Sequence, residues 1–289
     1  MEGVELNREE NKNQYQMKTM HRLLGSNYTK INGTFIAEFE SLVVENKWFD
    51  WNDFLSVRAI NLLFFSVFQG DYYKFFFQFA KEKGILLATF FDKFMNPDLS
   101  QDWPEEYLSF VNEFKKATTE ELFPTLEEMY ADAKKVYEIN NDVGDPVRLN
   151  PYYYSRLMYS ANDWINEVLK KHLALILGQL DDQTEETVDK ILVLCNEQIV
   201  NLVKPNPNKS LMTTNFDFLQ WRKSKYLKPL NSFFSKNKKT IDLTLHPNQS
   251  AKFSAFCEEH KNLNNNDFGF VAVESIFPRT DLFYNVNIS

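Results

Sequence analysis

The sequence predicts a mainly α (α+β) protein, and composition, helical periodicity and the location of strand signals support that class. Hydrophobic residues make up 44% and charged residues 25% of the 289 residues, a mixture typical of globular proteins. A chain of this length can bury a sizeable core without disulfides or metals. Helical periodicity fills the middle of the chain, whereas strand patterns occur near its two ends. We therefore expect a bundle-like helical body, an N-terminal β-hairpin and a small C-terminal strand–helix–strand unit.

Three regions follow from this pattern. Residues 1–48 are predicted to hold a short helix and the hairpin, residues 49–230 the helical domain, and residues 231–289 the small α/β unit. Within the first region, Asn32-Gly33 predicts the hairpin turn, because both central positions of a type I′ turn need positive φ. Imperfect alternation near Phe39 predicts a bulge or a strand end there.

An aromatic-rich segment at residues 48–84 has three interpretations: a membrane span, a partner groove or an ordinary core. Its longest apolar run, residues 54–68, contains Arg58 and Asn61 and is shorter than the ~20 residues of a spanning helix. The following segment has only a narrow polar stripe, which is typical of a helix buried inside a larger protein. We therefore expect core packing and no membrane span, with a partner groove as the alternative.

Helices are predicted throughout the middle of the chain. Gly70 and Gly84 are expected to end the first two as C′ glycines, and breakers at residues 140–146 and 204–210 divide the later ones. The predicted helices cover residues 51–69, 71–83, 85–95, 104–116, 118–140, 151–178, 184–203 and 215–226. In the tail, KTIDLTLH is predicted to be a strand, the segment that begins at Pro247 a helix, and DFGFVAVESIF a second strand.

Charge and cysteine content narrow the classes of function. A net charge of −8 disfavours nucleic acid as a partner. The basic segment at residues 221–240 could contact phosphate or nucleic acid, but a solvated face is the simpler interpretation. Only Cys195 and Cys257 are present, and no apolar run follows the start of the chain. A reducing, cytoplasmic location is therefore predicted.

Common catalytic motifs are absent from the sequence, which has no Gly-rich phosphate loop, GxSxG, HExxH or paired CxxC. Cys257 and His260 share a helix face at i, i+3 spacing and are the one metal-like pair. A structural zinc site needs four such ligands, so the alternative is a buried cysteine beside a histidine near a helix end. From the residues alone we assign no metal and no catalytic residue.

A tyrosine-rich helix is a candidate for lining a ligand pocket. Arg148 precedes it, and three of its side chains share one face at i, i+4 and i+7 spacing. Phenol hydroxyls and a guanidinium could line a polar pocket, whereas the alternative is ring packing with hydroxyls at the rim. The candidate ligand-binding residues in this region are therefore Arg148, Tyr152, Arg156 and Tyr159.

Several segments resemble the C-terminal region of cobalamin-binding radical SAM enzymes. GVELN at residues 3–7 is similar to the Gly-Thr-Glu-Leu-Asn segment that leaves the barrel of these enzymes. The hairpin and the following helix resemble the family's strand pair and Arg-x-x-Asn helix. This resemblance adds Arg58 and Asn61 to the candidate ligand-binding residues. FDFLQWRKSKY and the closing FVAVESIFPRTDLF are similar to the family's tail. The resemblance covers nearly the whole chain and implies a helical extension that packs beside the barrel and helps shape the substrate side.

The sequence lacks the segments that carry out the chemistry of this family. Radical SAM enzymes hold a 4Fe-4S cluster on a CxxxCxxC loop, and this chain lacks both that loop and a cobalamin-binding half. The resemblance therefore implies a non-catalytic module that binds no cofactor alone. Its partner would be a radical SAM barrel subunit, or a missing N-terminal half, that holds the 4Fe-4S cluster, S-adenosylmethionine and cobalamin. The alternatives are a free-standing helical ligand- or protein-binding protein and an independent enzyme that uses carboxylates.

Overall fold

The computed structural model describes residues 8–139, 148–202, 206, 208–263, 265–276 and 282–289. Sequence predictions for GVELN, NNDVGDP and parts of KPNPNKS and FVAVESIFPRTDLF therefore lie outside the described residues. The chain forms two compact units, one with the residues up to Asn61 and residues 109–149, the other with residues 62–108 and 150–289. Both contain helices and an antiparallel sheet, and helix predominates, so the predicted fold class is confirmed. The domain boundaries placed after residues 48 and 230 stay predictions.

The first unit contains a two-stranded hairpin. Its elements are α1 (Glu9–Tyr15), β1 (Lys18–Ile31), β2 (Thr34–Glu45), the first part of α2 (Trp51–Phe64), most of α5 (Glu105–Glu120) and α6 (Leu126–Ile139). Asn32 and Gly33 form the turn with φ values of 51° and 81°, as the sequence predicts. The ladder shifts register between the pairs made by Phe39 and Ala37, so the irregularity expected near Phe39 is also confirmed.

Helix α6 stabilises this hairpin by packing on it. The Tyr130 hydroxyl donates to the Ala37 carbonyl at 2.9 Å, and Tyr137 is buried with Ala37 in one small apolar cluster. A second cluster contains Val44 and Phe54. Because an isolated two-stranded hairpin is only marginally stable in water, burial against helices is what allows it to persist.

The second unit combines an aromatic helical core with a three-stranded antiparallel sheet of order β3-β4-β5. Its elements are the end of α2 with a π-helical turn (Phe65–Gln69), α3 (Lys74–Glu82), α4 (Leu87–Met95), α7 (Leu149–Tyr159), α8 (Ile165–Leu177), α9 (Asp182–Glu197), β3 (Asn208–Phe216), α10 (Phe218–Lys223), β4 (Phe234–Thr244), α11 (Pro247–Glu259), α12 (Asn265–Val271) and β5 (Asn285–Ile288). The aromatic-rich segment packs into the core of this unit. Phe76 and Phe77 of α3 pack edge to face on Phe90, with centroids 5.7 and 5.5 Å apart. Core packing is therefore confirmed for α3. Within the described chain, none of the helices has the length and apolarity that crossing a membrane requires.

Two helix predictions are wrong in their boundaries. The helix predicted over residues 151–178 is interrupted between α7 and α8, where Ala161 and Trp164 turn into the core and are buried. The break predicted near residue 117 falls at residues 121–125 instead, where Phe123 forms a β-bridge with His21 of the same unit. In both places tertiary contacts, and not local propensity, set the helix end.

The strand predicted for DFGFVAVESIF is also wrong, because this segment forms α12 and a second π-helical turn. Phe268 and Ala272 are both buried, and their i, i+4 spacing places them on one helix face. The C-terminal strand is instead β5, which pairs with β4 and places Ile288 opposite Ile241, while β3 pairs with the other side of β4. Strand β3 was not predicted, because its Asn, Ser and Thr residues are typical of turns.

Candidate functional site

A tight bend before α3 shapes one wall of the site. Gly70 has a φ of −93°, so it is not the left-handed C′ glycine that the sequence predicts. A Cβ on Gly70 would lie 2.5 Å from the Tyr154 ring and 2.6 Å from the Ser66 carbonyl oxygen. Close packing therefore requires glycine here. Gly84, with a φ of 85° after α3, is the C′ glycine that the sequence predicts.

Among the residues that follow this bend, two have left-handed backbone conformations. Asp71 has a φ of 54° and Tyr73 a φ of 52°, and such conformations cost roughly 1–2 kcal/mol per residue with a side chain. The Tyr73 hydroxyl donates to the side-chain oxygen of Asn166 at 2.5 Å, which fixes the ring. Lys74, the first residue of α3, pairs with Asp71. Packing and these polar contacts therefore hold a strained bend in place.

The end of α10 forms another wall with the same kind of backbone. The Tyr226 N–H donates to the Trp221 carbonyl at 3.2 Å, a bond typical of the Schellman motif, which usually has glycine in its left-handed position. Here Lys225 and Tyr226 have φ values of 54° and 58°. The buried Trp221 ring packs edge-on against Tyr226, with centroids 4.8 Å apart. The chain thus keeps two large side chains where glycine would fit with less strain.

These walls, the end of α9 and the residues before β5 enclose a cavity of about 490 Å³, which we call the cationic cavity. Its volume is typical of small-molecule sites. Of the six non-glycine residues with positive φ in the described chain, four line this cavity. Its lining residues are Asp71, Tyr73, Lys74, Phe75, Cys195, Gln198, Arg222, Lys225, Tyr226, Phe283, Tyr284 and Asn285.

Positive charge predominates around this cavity. Among the described lining residues Asp71 is the single carboxylate, and it pairs with Lys74. Arg222 and Lys225 are exposed and have no acidic partner in the part of the chain that the structure describes. The Arg222 guanidinium lies 5.9 Å from the centroid of the Phe75 ring. Two cations thus remain for an anion, in a chain whose net charge is −8.

Neutral polar groups complete the lining. The Tyr226 Oη atom is buried without a hydrogen-bond partner in the described chain, and burial raises the pKa of this phenol. Burial likewise raises the pKa of Cys195 to about 12, although the N–H groups of Phe75 and Phe76 donate to its sulfur. Both groups are therefore protonated at neutral pH, and the Tyr226 hydroxyl can donate to a ligand.

A second cavity, of about 260 Å³, uses the same end of α9, and we call it the tyrosine cavity. The Tyr159 hydroxyl and the Asn196 side-chain oxygen are buried and lack hydrogen-bond partners in the described chain. Its charges are paired, because Lys209 Nζ lies 2.7 Å from a Glu197 oxygen. Its lining residues are Met158, Tyr159, Asn162, Asn196, Glu197, Ile199, Val200, Asn201, Leu202, Lys209 and Phe268. Unpaired polar atoms around a roomy space favour ordered water.

Arg58 belongs to an ion cluster of the first unit. Its guanidinium lies 2.6 Å from Glu121, which is also 3.0 Å from Arg22, and Arg22 pairs with Glu40. Burial lowers the pKa of Arg58, while the Glu121 charge opposes that change. These contacts connect α2 to the hairpin and to the end of α5. Asn61, also proposed as a ligand contact, is exposed on α2, and neither residue lines a cavity described above.

The predicted tyrosine face is divided among different environments. Tyr159 lines the tyrosine cavity, whereas Tyr152 packs edge-on against Phe270 with centroids 5.7 Å apart. The Arg156 guanidinium lies 6.0 Å from the centroid of the Tyr152 ring. Arg148 is exposed. One of the four predicted residues therefore reaches a cavity, and ring packing accounts for two of the others.

Cys257 and His260 lie at the end of α11 in separate contacts. The Cys257 thiol donates to the Leu202 carbonyl, and the His260 ring packs against Phe256 with centroids 4.7 Å apart. Among the residues that the structure describes, no group of three or more His, Cys, Asp or Glu side chains is arranged to hold a metal. The structure thus provides no further ligands for this predicted pair.

Sequence reasoning missed the cationic cavity as a site. Arg222 and Lys225 lie in the basic segment at residues 221–240, for which phosphate contact was one interpretation. The one feature of the sequence that could have indicated this site is this basic segment, which also contains the end of α10, where the chain turns sharply without a glycine. Asp71 and Tyr73 carry no comparable signal, because nothing in DYYK predicts two left-handed residues.

Comparison with known proteins does not assign the chain to a family. No protein-family model matches the sequence, and no curated protein matches it.

Proposed function

We propose that this chain is a non-catalytic module that binds a small molecule in the cationic cavity. The observation that carries the proposal is the concentration of four left-handed, non-glycine residues around one cavity. Strained backbone conformations cluster at ligand sites, because they persist where the surrounding structure and the function require them. The mixed aromatic and polar lining agrees with this interpretation.

The protonation states of the lining groups favour binding over covalent chemistry by those groups. Cys195, with a pKa of about 12, is a thiol at neutral pH and therefore a poor nucleophile. Burial raises the pKa of Tyr73 well above its usual value, so its hydroxyl remains a neutral hydrogen-bonding group. The Arg222 guanidinium supplies electrostatic attraction for an anion.

We further propose that the module works beside a radical SAM barrel, as the sequence resemblance implies. Phe64 and Phe68, in the second unit, support this: their rings stack with centroids 5.2 Å apart and remain 40% and 46% exposed. Exposed apolar patches mark interaction sites. The barrel, on a partner subunit or a preceding half, would hold the 4Fe-4S cluster, S-adenosylmethionine and cobalamin in the reducing cytoplasm. The module would help shape the substrate side.

A free-standing binding protein is the second candidate. The observation that favours it is the burial of α3, whose aromatic residues are otherwise candidates for a partner surface. Every described residue that lines the cationic cavity also belongs to the second unit. Such a protein would need no barrel to complete its site.

The size of the native polypeptide tests whether the barrel is a preceding half of the same chain. We would measure it in the source cells by immunoblot or intact-mass spectrometry. A species of 34.2 kDa would mean that the chain is made alone, as a free-standing protein or a split subunit. A clearly larger species would mean that the chain is the tail of a longer enzyme and would exclude the free-standing protein.

We expect the purified chain to stay colourless after anaerobic reconstitution with iron and sulfide. A radical SAM cluster is held by three cysteine thiolates, and this chain has two cysteines. Stable absorption in the iron–sulfur bands would contradict the assignment of the cluster to a partner.

A cavity-filling variant tests the binding site itself. We expect a thermal-shift screen of metabolites to find compounds that stabilise the wild type but not Gln198→Trp, because an indole at Gln198 would occupy the cationic cavity. Gln183→Trp is the matched control, since Gln183 lies on the same helix and is exposed. Ligands that stabilise both variants equally would exclude the cationic cavity as their site.

A further inference from the structure

We propose that the ligand of the cationic cavity carries a carboxylate or phosphate group on a planar, aromatic body. This inference rests on the proposed function, because it specifies the ligand of the same cavity. Three features of the lining support it: the unpaired cations, the flat aromatic walls, and the retention of a lysine in a strained position.

The charges define one end of the ligand. Asp71 is already paired with Lys74, so Arg222 and Lys225 supply positive charge that no described acid neutralises. Guanidinium groups bind carboxylates and phosphates through two parallel hydrogen bonds. The buried Tyr226 hydroxyl, which lacks a partner in the described chain, provides a third donor for the same anion.

The rings define the other end. The Phe75 and Tyr226 rings meet edge to face with centroids 6.2 Å apart, and Tyr284 also lines the cavity. Aromatic rings in this arrangement can contact a planar ligand by offset stacking or edge-to-face packing. The Arg222 guanidinium lies 5.9 Å from the Phe75 centroid, so the anion site and the aromatic wall adjoin.

The backbone at Lys225 shows that its side chain is retained against a conformational preference. With a φ of 54°, this position would favour glycine. A purely structural helix end would therefore gain stability from Lys225→Gly. We expect that substitution to raise the melting temperature and at the same time to weaken anion binding, a combination that a merely structural role would not produce.

The test is isothermal titration calorimetry of the full chain with 1-naphthyl phosphate, 1-naphthoate, 1-naphthol and inorganic phosphate. We expect one or both naphthyl anions to bind, and to bind more tightly than neutral 1-naphthol or inorganic phosphate. Arg222→Gln and Lys225→Gly should each weaken that binding at least about tenfold, the typical effect of losing a charge-assisted hydrogen bond. Lys236→Gln is the control, since it removes one charge from the same basic segment at an exposed residue outside the cavity.

The results separate this inference from the proposed function. If 1-naphthol binds as tightly as the anions, and Gln198→Trp abolishes its binding, the cavity binds ligands but the anionic class is wrong. If inorganic phosphate binds as tightly as the naphthyl anions, the planar body is wrong. If naphthyl anions bind equally to wild type and Gln198→Trp, or no probe binds and the metabolite screen also fails, both proposals are overturned. The relative affinities of phosphate and carboxylate identify the anion.

Discussion

The two cavities share the C-terminal end of α9 but differ in charge and in backbone strain. Around the cationic cavity, Arg222 and Lys225 lack acidic partners in the described chain, and four lining residues have left-handed backbone. Around the tyrosine cavity, Lys209 neutralises Glu197, and none of the described lining residues has positive φ. Buried polar atoms without partners in the described chain occur in both cavities, at Tyr226 in the cationic cavity and at Tyr159 and Asn196 in the tyrosine cavity.

This difference indicates which cavity serves a ligand. Strained backbone raises the free energy of the empty protein, so a ligand that contacts the residues held in these conformations is the simplest reason to retain them. Buried polar atoms without partners do not distinguish the two cavities, because water can satisfy such atoms at little cost. We therefore infer a binding role for the cationic cavity and a hydrated, structural role for the tyrosine cavity.

Glycine substitutions should separate the two regions most strongly. Alanine at Gly70 would meet the Tyr154 ring and the Ser66 backbone within 2.6 Å, whereas the three atoms nearest to an alanine Cβ at Gly269 all belong to the Tyr159 side chain, the closest at 2.7 Å. A ring can move but the backbone cannot. We expect urea denaturation to show that Gly70→Ala lowers the free energy of unfolding by about 3 kcal/mol and Gly269→Ala by about 1 kcal/mol.

Gly84→Ala provides the control for these two variants. A Cβ at Gly84 meets nothing within 4 Å, but its φ of 85° is strained for alanine, so a loss of about 1–2 kcal/mol is expected from conformation alone. Equal losses for Gly70→Ala and Gly269→Ala would mean that both walls are equally adaptable. That result would contradict the conclusion that the structure around the cationic cavity is more strained than the structure around the tyrosine cavity.

A buried histidine between α4 and α8 makes the stability of the second unit depend on pH. The two cavities should therefore be compared at a pH where this histidine is neutral in both the folded and the unfolded state. Buried His172 stacks on Trp103 with centroids 4.4 Å apart and lies 2.8 Å from the Tyr107 hydroxyl. Because that hydroxyl donates to the Phe94 carbonyl, the histidine Nε2–H must donate to the hydroxyl oxygen. Burial lowers the pKa of His172 to about 4, so the folded protein keeps this ring neutral.

Acid should therefore destabilise this core. The unfolded histidine has a pKa of about 6.5, so between about pH 6.5 and pH 4 the unfolded state binds a proton that the folded state does not. We expect full stability above about pH 7 and a loss of about 2 kcal/mol at pH 5, measured from urea midpoints. His172→Gln, which can keep the donated hydrogen bond, should show a smaller loss. An equal loss in wild type and variant would assign the effect to other groups.

Removal of single hydroxyls should have smaller effects that differ between the cavities. Tyr159→Phe deletes a buried hydroxyl with no partner in the described chain, so stability should stay level or rise by up to about 1 kcal/mol. Tyr226→Phe should leave stability similar but weaken naphthyl-anion binding about fivefold. Denaturation and calorimetry measure the two effects. A loss of stability above about 1 kcal/mol in Tyr159→Phe would show that its hydroxyl has an ordered partner.

Local signals in the sequence predicted local structure well. Asn32-Gly33 predicted its hairpin turn because the conformation depends on those two residues alone. Gly84 predicted the end of α3 for the same reason. Gly70 was misinterpreted, because its role depends on Tyr154, 84 residues away along the chain, and no local pattern reveals such a contact.

The candidate site was harder to predict, because it depends on distant residues and on unusual backbone. Tyr159 was selected from helical spacing and does reach a cavity. Arg58 was selected by resemblance, and its ion cluster depends on Arg22 and Glu121, which only the fold brings together. Lys225 and Tyr73 adopt left-handed conformations that residues with side chains disfavour. Backbone propensity therefore predicts a different conformation from the one that forms the cationic cavity.

Thiol reactivity should show the smallest difference between the two regions. Cys195 lines the cationic cavity but is buried, with its pKa raised to about 12, whereas Cys257, which bonds to Leu202 of the tyrosine cavity, is only partly buried. We expect Ellman's reagent to label Cys257 first, with Cys195→Ser and Cys257→Ser identifying each phase. Bound naphthyl anion should slow the Cys195 phase alone, because it would cover that thiol. Slowing of the Cys257 phase instead would place the ligand at the tyrosine cavity and reverse the roles inferred for the two cavities.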